Sequence, residues 1–319
     1  MTRAMLYLVH VASQLMYRWI DPFIGGKDFL SDCVLSSTKD CLYELTSSDW
    51  KDLLLDLNFE SKMPMHWLDL YLSSKEGTVS RLIRSAMDHL QQCKRNGGHI
   101  VLICDKKYPP LLREIPDPPL CLTIRGDQSL LDYRKISVVG SRKACARALT
   151  VSRELGEYIA EAQMAVVSGG AYGCDIAAHR GVLATDENPA PAILVFAGGL
   201  GRLYPRGNQL IFEQLQEKNA VFLSERLWDC PSLPRDFPVR NRIVSGLSTE
   251  TIIVQAGHRS GAMTTARLAL DQGRDLSVLD FTEDDLASNG NVQLISEGAA
   301  SFYDVKDWKE KSLMGYDLI

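Results

Sequence analysis

Residues 165–175 read AVVSGGAYGCD, an apolar run that leads through three glycines into a segment with helical character. Glycines at this density lose much conformational entropy on folding, so the backbone here must turn sharply or approach another group closely. A strand-length apolar run, a small loop and a helix together make one βα unit. The stretch therefore predicts an α/β fold in which such units repeat.

The same strand–loop–helix pattern recurs from Lys135 onward. Strands are predicted at Ile136–Val139, Ala165–Val167, Ala192–Ala197, Ala220–Leu223, Thr251–Gln255 and Asp275–Leu279, and helices at Ala146–Ala162, Asp175–Ala184, Gln209–Lys218 and Thr264–Gln272. The strand runs are continuously apolar, which is typical of a parallel sheet covered on both faces. We predict an α/β fold with an extended Rossmann-like, doubly wound, mostly parallel sheet.

The domain organisation follows from where this pattern begins. Residues 1–95 show apolar residues at helical spacing, in Ala4–Trp19, Ser47–Leu57 and Thr78–Cys93, and predict a small helical N-terminal domain. Gly97–Cys104 is a predicted strand, and the prolines in 106–119 predict an extended connector with turns and no regular helix. The Rossmann-like domain is placed at 96–305 and a C-terminal tail at 306–319.

Composition narrows the class of protein. The hydrophobic fraction of 45% and charged fraction of 24% are ordinary for a globular chain. No apolar stretch is long enough to span a bilayer, and Met1–Arg18 lacks a signal-peptide cleavage site, so we expect a cytoplasmic protein without a membrane partner. Eight scattered cysteines without a C-x-x-C pair indicate buried thiols in a reducing compartment and no metal site.

The predicted strand-end loops combine glycine, hydroxyl side chains and arginine. Loops at the carboxyl ends of parallel strands meet at one edge of the sheet, where backbone N–H groups can attract phosphate. The net charge of −5 is unlike that of a basic nucleic-acid binder, but the arginines concentrate in these loops. The candidate ligand-binding residues are Gly140, Ser141, Arg142, Ser168, Gly169, Gly170, Gly199, Arg202, Tyr204, Arg206, Asn208, Arg240, Asn241, Arg242, Ser260, Gly261, Thr264 and Thr265.

Each feature also has a purely structural interpretation. Arg142 could grip a phosphate or be a solvated side chain in a tight βα turn. Tyr204 could stack on a base of a nucleotide or single strand, or only pack its loop. Asp175 and His179 share a helical face, and we favour helix capping and a structural hydrogen bond over general base chemistry. A dinucleotide fingerprint and a P-loop lysine are both absent.

A family resemblance emerges when the motifs are taken in chain order. They are Asp105–Leu112 (DKKYPPLL), Pro118–Leu120, Val138–Arg142 (VVGSR), Ser168–Asp175 (SGGAYGCD), Ala177–His179, Tyr204-Pro205, Ser224-Glu225, Phe237–Ile243 (FPVRNRI), Ser260–Ala266 (SGAMTTA), and Asn289-Gly290-Asn291 through Gly298-Ala299. Together these segments closely resemble the DNA-processing protein A family (DprA, also called Smf). The resemblance covers roughly two-thirds of the chain.

The resemblance implies a protein that binds single-stranded DNA, protects incoming strands and helps to load a RecA-type recombinase during natural transformation. It also implies a homodimer, with no enzymatic activity and no cofactor. Carried over to this sequence, Arg142 is the main phosphate-gripping arginine, and Ser168–Gly170 and Gly198–Asn208 are the pocket walls.

Departures from the family pattern keep other functions open. Gln255-Ala256 replaces a short acidic motif, Asp280-Phe281 replaces Pro-Gly, and the winged-helix-like domain of many members is missing. One alternative is a Rossmann-like protein that binds or hydrolyses nucleotides or their derivatives, for example in a mobile-element or defence system. The other is an interaction scaffold. Hydrolysis would need a carboxylate in the pocket, for which Asp175 and Glu225 are the candidates.

Overall fold

The computed structural model describes Ser85, residues 88–281 and residues 286–314. The predicted helices Ala4–Trp19 and Ser47–Leu57 lie outside these residues, as does most of Thr78–Cys93. The described chain divides into two compact units. One contains the described residues as far as Tyr108 together with Pro116–Leu122, and the other contains Pro109–Ile115 and the residues from Thr123 onward.

The secondary structure follows the repeating βα pattern. The strands are β1 (Gly98–Leu102), β2 (Cys121–Arg125), β3 (Lys135–Val139), β4 (Ala165–Ser168), β5 (Ala192–Phe196), β6 (Val221–Ser224), β7 (Glu250–Ile253), β8 (Asp275–Leu279) and β9 (Ala300–Phe302). The helices are α1 (Pro110–Arg113), α2 (Ala146–Glu161), α3 (Cys174–Ala184), α4 (Gln209–Glu217), α5 (Asp236–Leu247), α6 (Gly261–Asp271), α7 (Asn289–Ser296) and α8 (Val305–Met314). Short 3₁₀ turns lie at Gln128–Asp132, Arg206–Asn208 and Leu286–Ser288.

The strands form a sheet with the order β1-β2-β6-β5-β4-β3-β7-β8-β9. All neighbouring pairs from β6 to β9 in this order are parallel, and β2 pairs with β6 in the antiparallel direction. The predicted extended Rossmann-like, mostly parallel sheet is therefore confirmed. From β3 the chain adds β4 to β6 on one side and then β7 to β9 on the other, so the order reverses between β3 and β7. Ligands of such sheets bind at this switch point.

The strands near the switch point are buried, and they hold the edge of the sheet rigid. All residues of β3, β4, β5 and β7 are buried, as their apolar runs predict. On one side of the sheet Phe196 packs against Phe212 and Phe222, with ring centroids 5.3 and 5.2 Å apart. Loops that follow these strands are thus anchored on a close-packed core.

Several local predictions are wrong. Pro110 begins the short helix α1 within the predicted connector, because proline is tolerated in the first helical turn. Strand β2 follows the same prolines and was not predicted. Arg240, Asn241 and Arg242, predicted in a loop, lie in the helix α5.

The C-terminal segment of the described chain packs as a helix. In α8, Trp308 is 2% exposed, and its Nε1 donates to Glu250 Oε1 at 2.8 Å. The same carboxylate oxygen accepts from Ser277 Oγ at 2.6 Å. The Trp308 ring also meets Tyr158 edge-on at 6.0 Å between centroids. Residues placed in the predicted tail therefore cover the end of the sheet.

No helix in the described ranges is long and apolar enough to cross a membrane.

Candidate nucleic-acid interface

The loops after β3 and β7 meet at the switch point. Val254 N donates to Val139 O at 3.0 Å, and Cys145 N donates to the side-chain Oε1 of Gln255 at 2.9 Å. Gln255 Nε2 in turn donates to Ser288 Oγ at 3.2 Å. The side-chain amide of Gln255, which replaces the acidic motif of the resembled family, thus connects the start of α2 with the start of α7.

The turn after β3 is fixed by its own hydrogen bonds. Ser141 Oγ accepts from Lys143 N at 3.1 Å, and Ser141 O accepts from Cys174 N at 3.2 Å. A Cβ at Gly140 would overlap the Cys174 side chain and lie 3.2 Å from Gln255 N. Gly140 therefore permits close packing at the switch point, and the turn directs Arg142 outward, where it is exposed.

A pocket opens beside Arg142, which we call the Arg142 pocket. It is lined by Arg142, Gly169, Ala171, Tyr172, Tyr204, Pro205 and Phe237. The guanidinium carbon of Arg142 lies 5.1 Å from the centroid of the Phe237 ring, within the range of a cation–π contact. Tyr204 meets the same ring edge-on at 5.8 Å between centroids. The lining thus combines one cation with three aromatic rings and contains no carboxylate.

Two of the three aromatic residues of the pocket are exposed to solvent. Tyr172 is 44% exposed and Tyr204 is 47% exposed. Arg202 and Arg206 flank Tyr204 on the loop after β5, and both are exposed. Arg202, Tyr204 and Arg206 thus lie together in the segment between β5 and α4, at the carboxyl edge of the sheet. Neither Tyr172 nor Phe237 was among the predicted site residues, although an aromatic residue inside a Gly-rich loop could have signalled the first.

Asn208 has a structural position instead. It is 5% exposed, and its Nδ2 donates to Gly170 O at 3.0 Å, which ties the loop after β5 to the loop after β4. Gly199 approaches the loop after β6 so closely that a Cβ would overlap backbone atoms of Leu227 and Trp228.

The backbone N–H groups of the Gly-rich loops already have partners inside the protein. Gly169 N and Ala171 N donate to Asp175 Oδ2 at 3.1 and 3.3 Å, and Gly170 N donates to Ser168 Oγ at 3.1 Å. In the next loop Gly199 N donates to Cys230 O at 2.8 Å. We predicted that such groups would cradle phosphate, but these four are satisfied internally. These four N–H groups are therefore not free to bind a phosphate.

Two arginines of α5 point into the protein. Arg240 is 7% exposed, its Nη1 donates to Val195 O at 2.7 Å, and its guanidinium lies directly against Gly169. Burial lowers the pKa of Arg240 to about 10; the neighbouring Arg142 acts in the same direction and Asp175 opposes it. Arg240 therefore keeps its charge at neutral pH, just behind the pocket wall.

Arg242 is held by a carboxylate. Its Nη2 and Nη1 donate to Oε1 and Oε2 of Glu225 at 2.7 and 3.0 Å, a bidentate ion pair with 10% and 18% of the two side chains exposed. Glu225, one of two candidate catalytic carboxylates, thus has a structural partner. Asn241, between the two arginines, is half-buried and donates to Gly261 O at 3.4 Å.

Asp175 and His179 bond to different partners. Asp175 lies in the first turn of α3, but its carboxylate reaches back to the loop after β4 and does not cap the helix, whose N-cap is Gly173. His179 Nε2 shares a 2.8 Å hydrogen bond with Ser168 Oγ. Burial lowers the pKa of His179 to about 3, so the ring is neutral. Burial raises the pKa of Asp175, whereas Arg240 and the loop N–H groups lower it.

The start of α6 forms the far side of the edge. Ser260 is the N-cap, and its Oγ accepts from Met263 N at 3.4 Å. Thr265 is 1% exposed and donates to Gly261 O at 3.0 Å. Thr264 is exposed. Capping and packing therefore account for Ser260 and Thr265, while Gly261 and Thr264 remain accessible.

Comparisons with known proteins place this geometry in a family. The model of the family described as DNA recombination-mediator protein A matches residues 99–312. The chain belongs to this family. DNA processing protein DprA of Bacillus subtilis is 35% identical over 215 residues, which are 67% of this chain and 71% of that protein. Protein Smf of Escherichia coli is 34% identical over 201 residues, 63% of this chain and 53% of Smf. The predicted family resemblance is confirmed.

Solved structures of the family share the fold. The X-ray structure of DprA from Streptococcus pneumoniae superimposes with a TM-score of 0.64 at 27% identity, covering 83% of this chain and 97% of that chain. A structure of DNA processing protein A from Helicobacter pylori, from work on the single-stranded DNA binding mode of that protein, superimposes with a TM-score of 0.61 at 28% identity. It covers 69% of this chain and 97% of that chain.

Proposed function

We propose that this protein binds single-stranded DNA at the Arg142 pocket and acts as a recombination mediator without catalysing a reaction. The observation that carries the proposal is the composition of the pocket. An exposed guanidinium stands on the ring of Phe237, and the exposed rings of Tyr172 and Tyr204 lie beside it. Cations that contact phosphates and aromatic faces that stack on bases are the two elements of single-strand recognition.

The chemistry of the pocket favours a strand of any sequence. Each base that stacks on an aromatic side chain contributes about 1–3 kcal/mol, and stacking tolerates every base because each has a π-face. Arg142, Arg202 and Arg206 offer exposed charges for the phosphates that connect the bases. We therefore expect low base preference and a strong dependence on salt.

The carboxylates support a binding function over hydrolysis. Asp175 accepts hydrogen bonds from Gly169 and Ala171, and Glu225 is paired with Arg242. Neither lines the Arg142 pocket. A general base would need an oxygen within hydrogen-bond reach of a bound substrate. The positions of these two carboxylates thus support binding at this pocket more than nucleotide hydrolysis.

Family membership extends the proposal to partners. The Helicobacter pylori relative has a described single-stranded DNA binding mode, and the matched family is one of recombination mediators. We infer that this chain works with a RecA-type recombinase, as a homodimer in the cytoplasm. A pull-down of purified recombinase with and without oligo-dT checks the first inference, and light scattering of the purified protein checks the second.

Titration with fluorescent oligo-dT, against a panel of deoxynucleoside mono-, di- and triphosphates as competitors, tests the proposed function. We expect submicromolar binding of the oligonucleotide, weak competition by nucleotides and no release of base, sugar or phosphate. Nucleotide turnover would instead support the hydrolase. A folded sample that binds neither class of ligand would support the scaffold.

A further inference from the structure

The carboxylate of Asp175 accepts hydrogen bonds from two backbone N–H groups of the Gly-rich loop after β4. Oδ2 accepts from Gly169 N at 3.1 Å and from Ala171 N at 3.3 Å, both in the loop after β4. The side chain is buried, with 5% of the residue exposed. Asp175 therefore lies at the carboxyl edge of the sheet, where it is bonded to the backbone of the loop after β4.

Backbone N–H groups in such loops are typical of anion-binding sites. Backbone N–H groups that converge from Gly-rich loops after parallel strands, next to a helix N-terminus, bind phosphate in many α/β proteins. Here a guanidinium adds to them, because Arg240 lies against Gly169 from inside the protein. Its Nε is buried and has no hydrogen-bond partner among the described residues. The guanidinium and the loop N–H groups thus favour an ionised carboxylate, whereas its burial opposes ionisation and raises its pKa.

We propose that Asp175 is a specificity-determining residue, an internal anion that fills the phosphate position of this edge. With the N–H groups engaged, a free phosphate or the phosphate of a mononucleotide gains no backbone donors there. A DNA strand is held instead through exposed side chains such as Arg142, which contact several phosphates and bases at once. The inference deepens the proposed function. It rests on that function only in taking single-stranded DNA as the ligand of the pocket.

Anion binding by Asp175→Ala and Asp175→Asn variants tests the inference. The first variant opens the position, and the second fills it with a neutral group of the same shape. Thermal unfolding is measured in chloride, in formate, which has the size of the missing carboxylate, and in inorganic phosphate, all at one ionic strength. We expect formate and phosphate at ten times their Kd to raise the midpoint of Asp175→Ala by about 3 °C, with no such shift in wild type or Asp175→Asn.

The outcomes separate clearly. The inference is overturned if phosphate raises the unfolding midpoint of Asp175→Ala no more than that of wild type. This holds even if formate stabilises the variant, because the position would then exclude phosphate without Asp175. Should Asp175→Ala fail to fold, the amide resonances of Gly169 and Ala171 in the wild-type protein decide, during titration with inorganic phosphate. Unchanged resonances support the inference, and saturable shifts overturn it. Failure of oligo-dT to bind the wild type would contradict the proposed function but not the inference about Asp175.

Discussion

The absence of a side chain at Gly169 allows Arg240 to pack close to the wall of the Arg142 pocket. A Cβ at this position would overlap the guanidinium of Arg240, which is held by its hydrogen bond to Val195 O. The backbone of Gly169 also forms part of the pocket wall. The charge of Arg240 can approach the wall only because glycine stands there.

Gly169→Ala is therefore expected to destabilise the protein. Overpacking in a close-packed interior typically costs about 1–3 kcal/mol, and we expect a loss of that size in the free energy of unfolding measured by urea denaturation. Gly257→Ala is the matched control, because a Cβ there meets nothing within 4 Å. Equal unfolding midpoints for the two variants would contradict this description of Arg240.

Histidine 179 makes stability depend on pH. Burial lowers its pKa from 6.5 to about 3. As the pH falls below about 6.5, His179 binds a proton in the unfolded chain but not in the folded protein. This group alone therefore lowers the free energy of unfolding by about 1.4 kcal/mol per pH unit. The loss continues until the pH approaches the folded-state pKa.

Urea denaturation of wild type and His179→Gln between pH 7 and pH 4.5 measures this effect. The variant should lose less stability on acidification, with a slope smaller by about one proton. His258→Gln, which removes an exposed imidazole, is the matched control. Parallel curves for wild type and His179→Gln would show that His179 titrates normally in the folded protein.

At the scale of elements, α5 was the main helix not predicted from sequence. Two of its buried residues are Arg240 and Arg242, so charged residues occupy the face that periodicity requires to be apolar. Pro238 also suggests a loop, yet it lies in the first turn, where its missing N–H needs no partner. The arginines are buried only because Val195 O and Glu225 accept from them, and these partners are distant in sequence.

The hydrogen bond from Trp308 of α8 to Glu250 is expected to contribute to the free energy of unfolding. Trp308→Phe keeps an aromatic ring against Tyr158 but removes the Nε1 donor to Glu250, which is 4% exposed. Loss of one partner of a buried charged group costs about 1–3 kcal/mol. We expect that decrease in the unfolding free energy. Lys309→Ala, which removes only an exposed cation over the Tyr158 ring, should change it little; a similar loss in both variants would contradict the role of Glu250.

For the whole molecule, the parallel sheet accounts for most of what sequence could predict of the site. Strand ends of a parallel sheet share one edge, so the positions of Arg142, Gly169 and Tyr204 near one another follow from the order of apolar runs. The direction of each side chain does not follow. Asn208 and Arg240 point inward because of tertiary contacts, and the loop N–H groups are engaged by Asp175 and other internal acceptors.

The affinity of Arg142→Ala for oligo-dT across a range of salt concentrations tests the central claim most directly. Removal of a charged hydrogen-bond donor should weaken binding about tenfold, and the slope of log K against log salt should become shallower by about 0.7 for each phosphate that the variant no longer neutralises. Arg153→Ala, which removes an exposed arginine from the middle of α2, is the matched control and should leave both quantities unchanged. Unchanged affinity and slope in Arg142→Ala would contradict the assignment of the pocket.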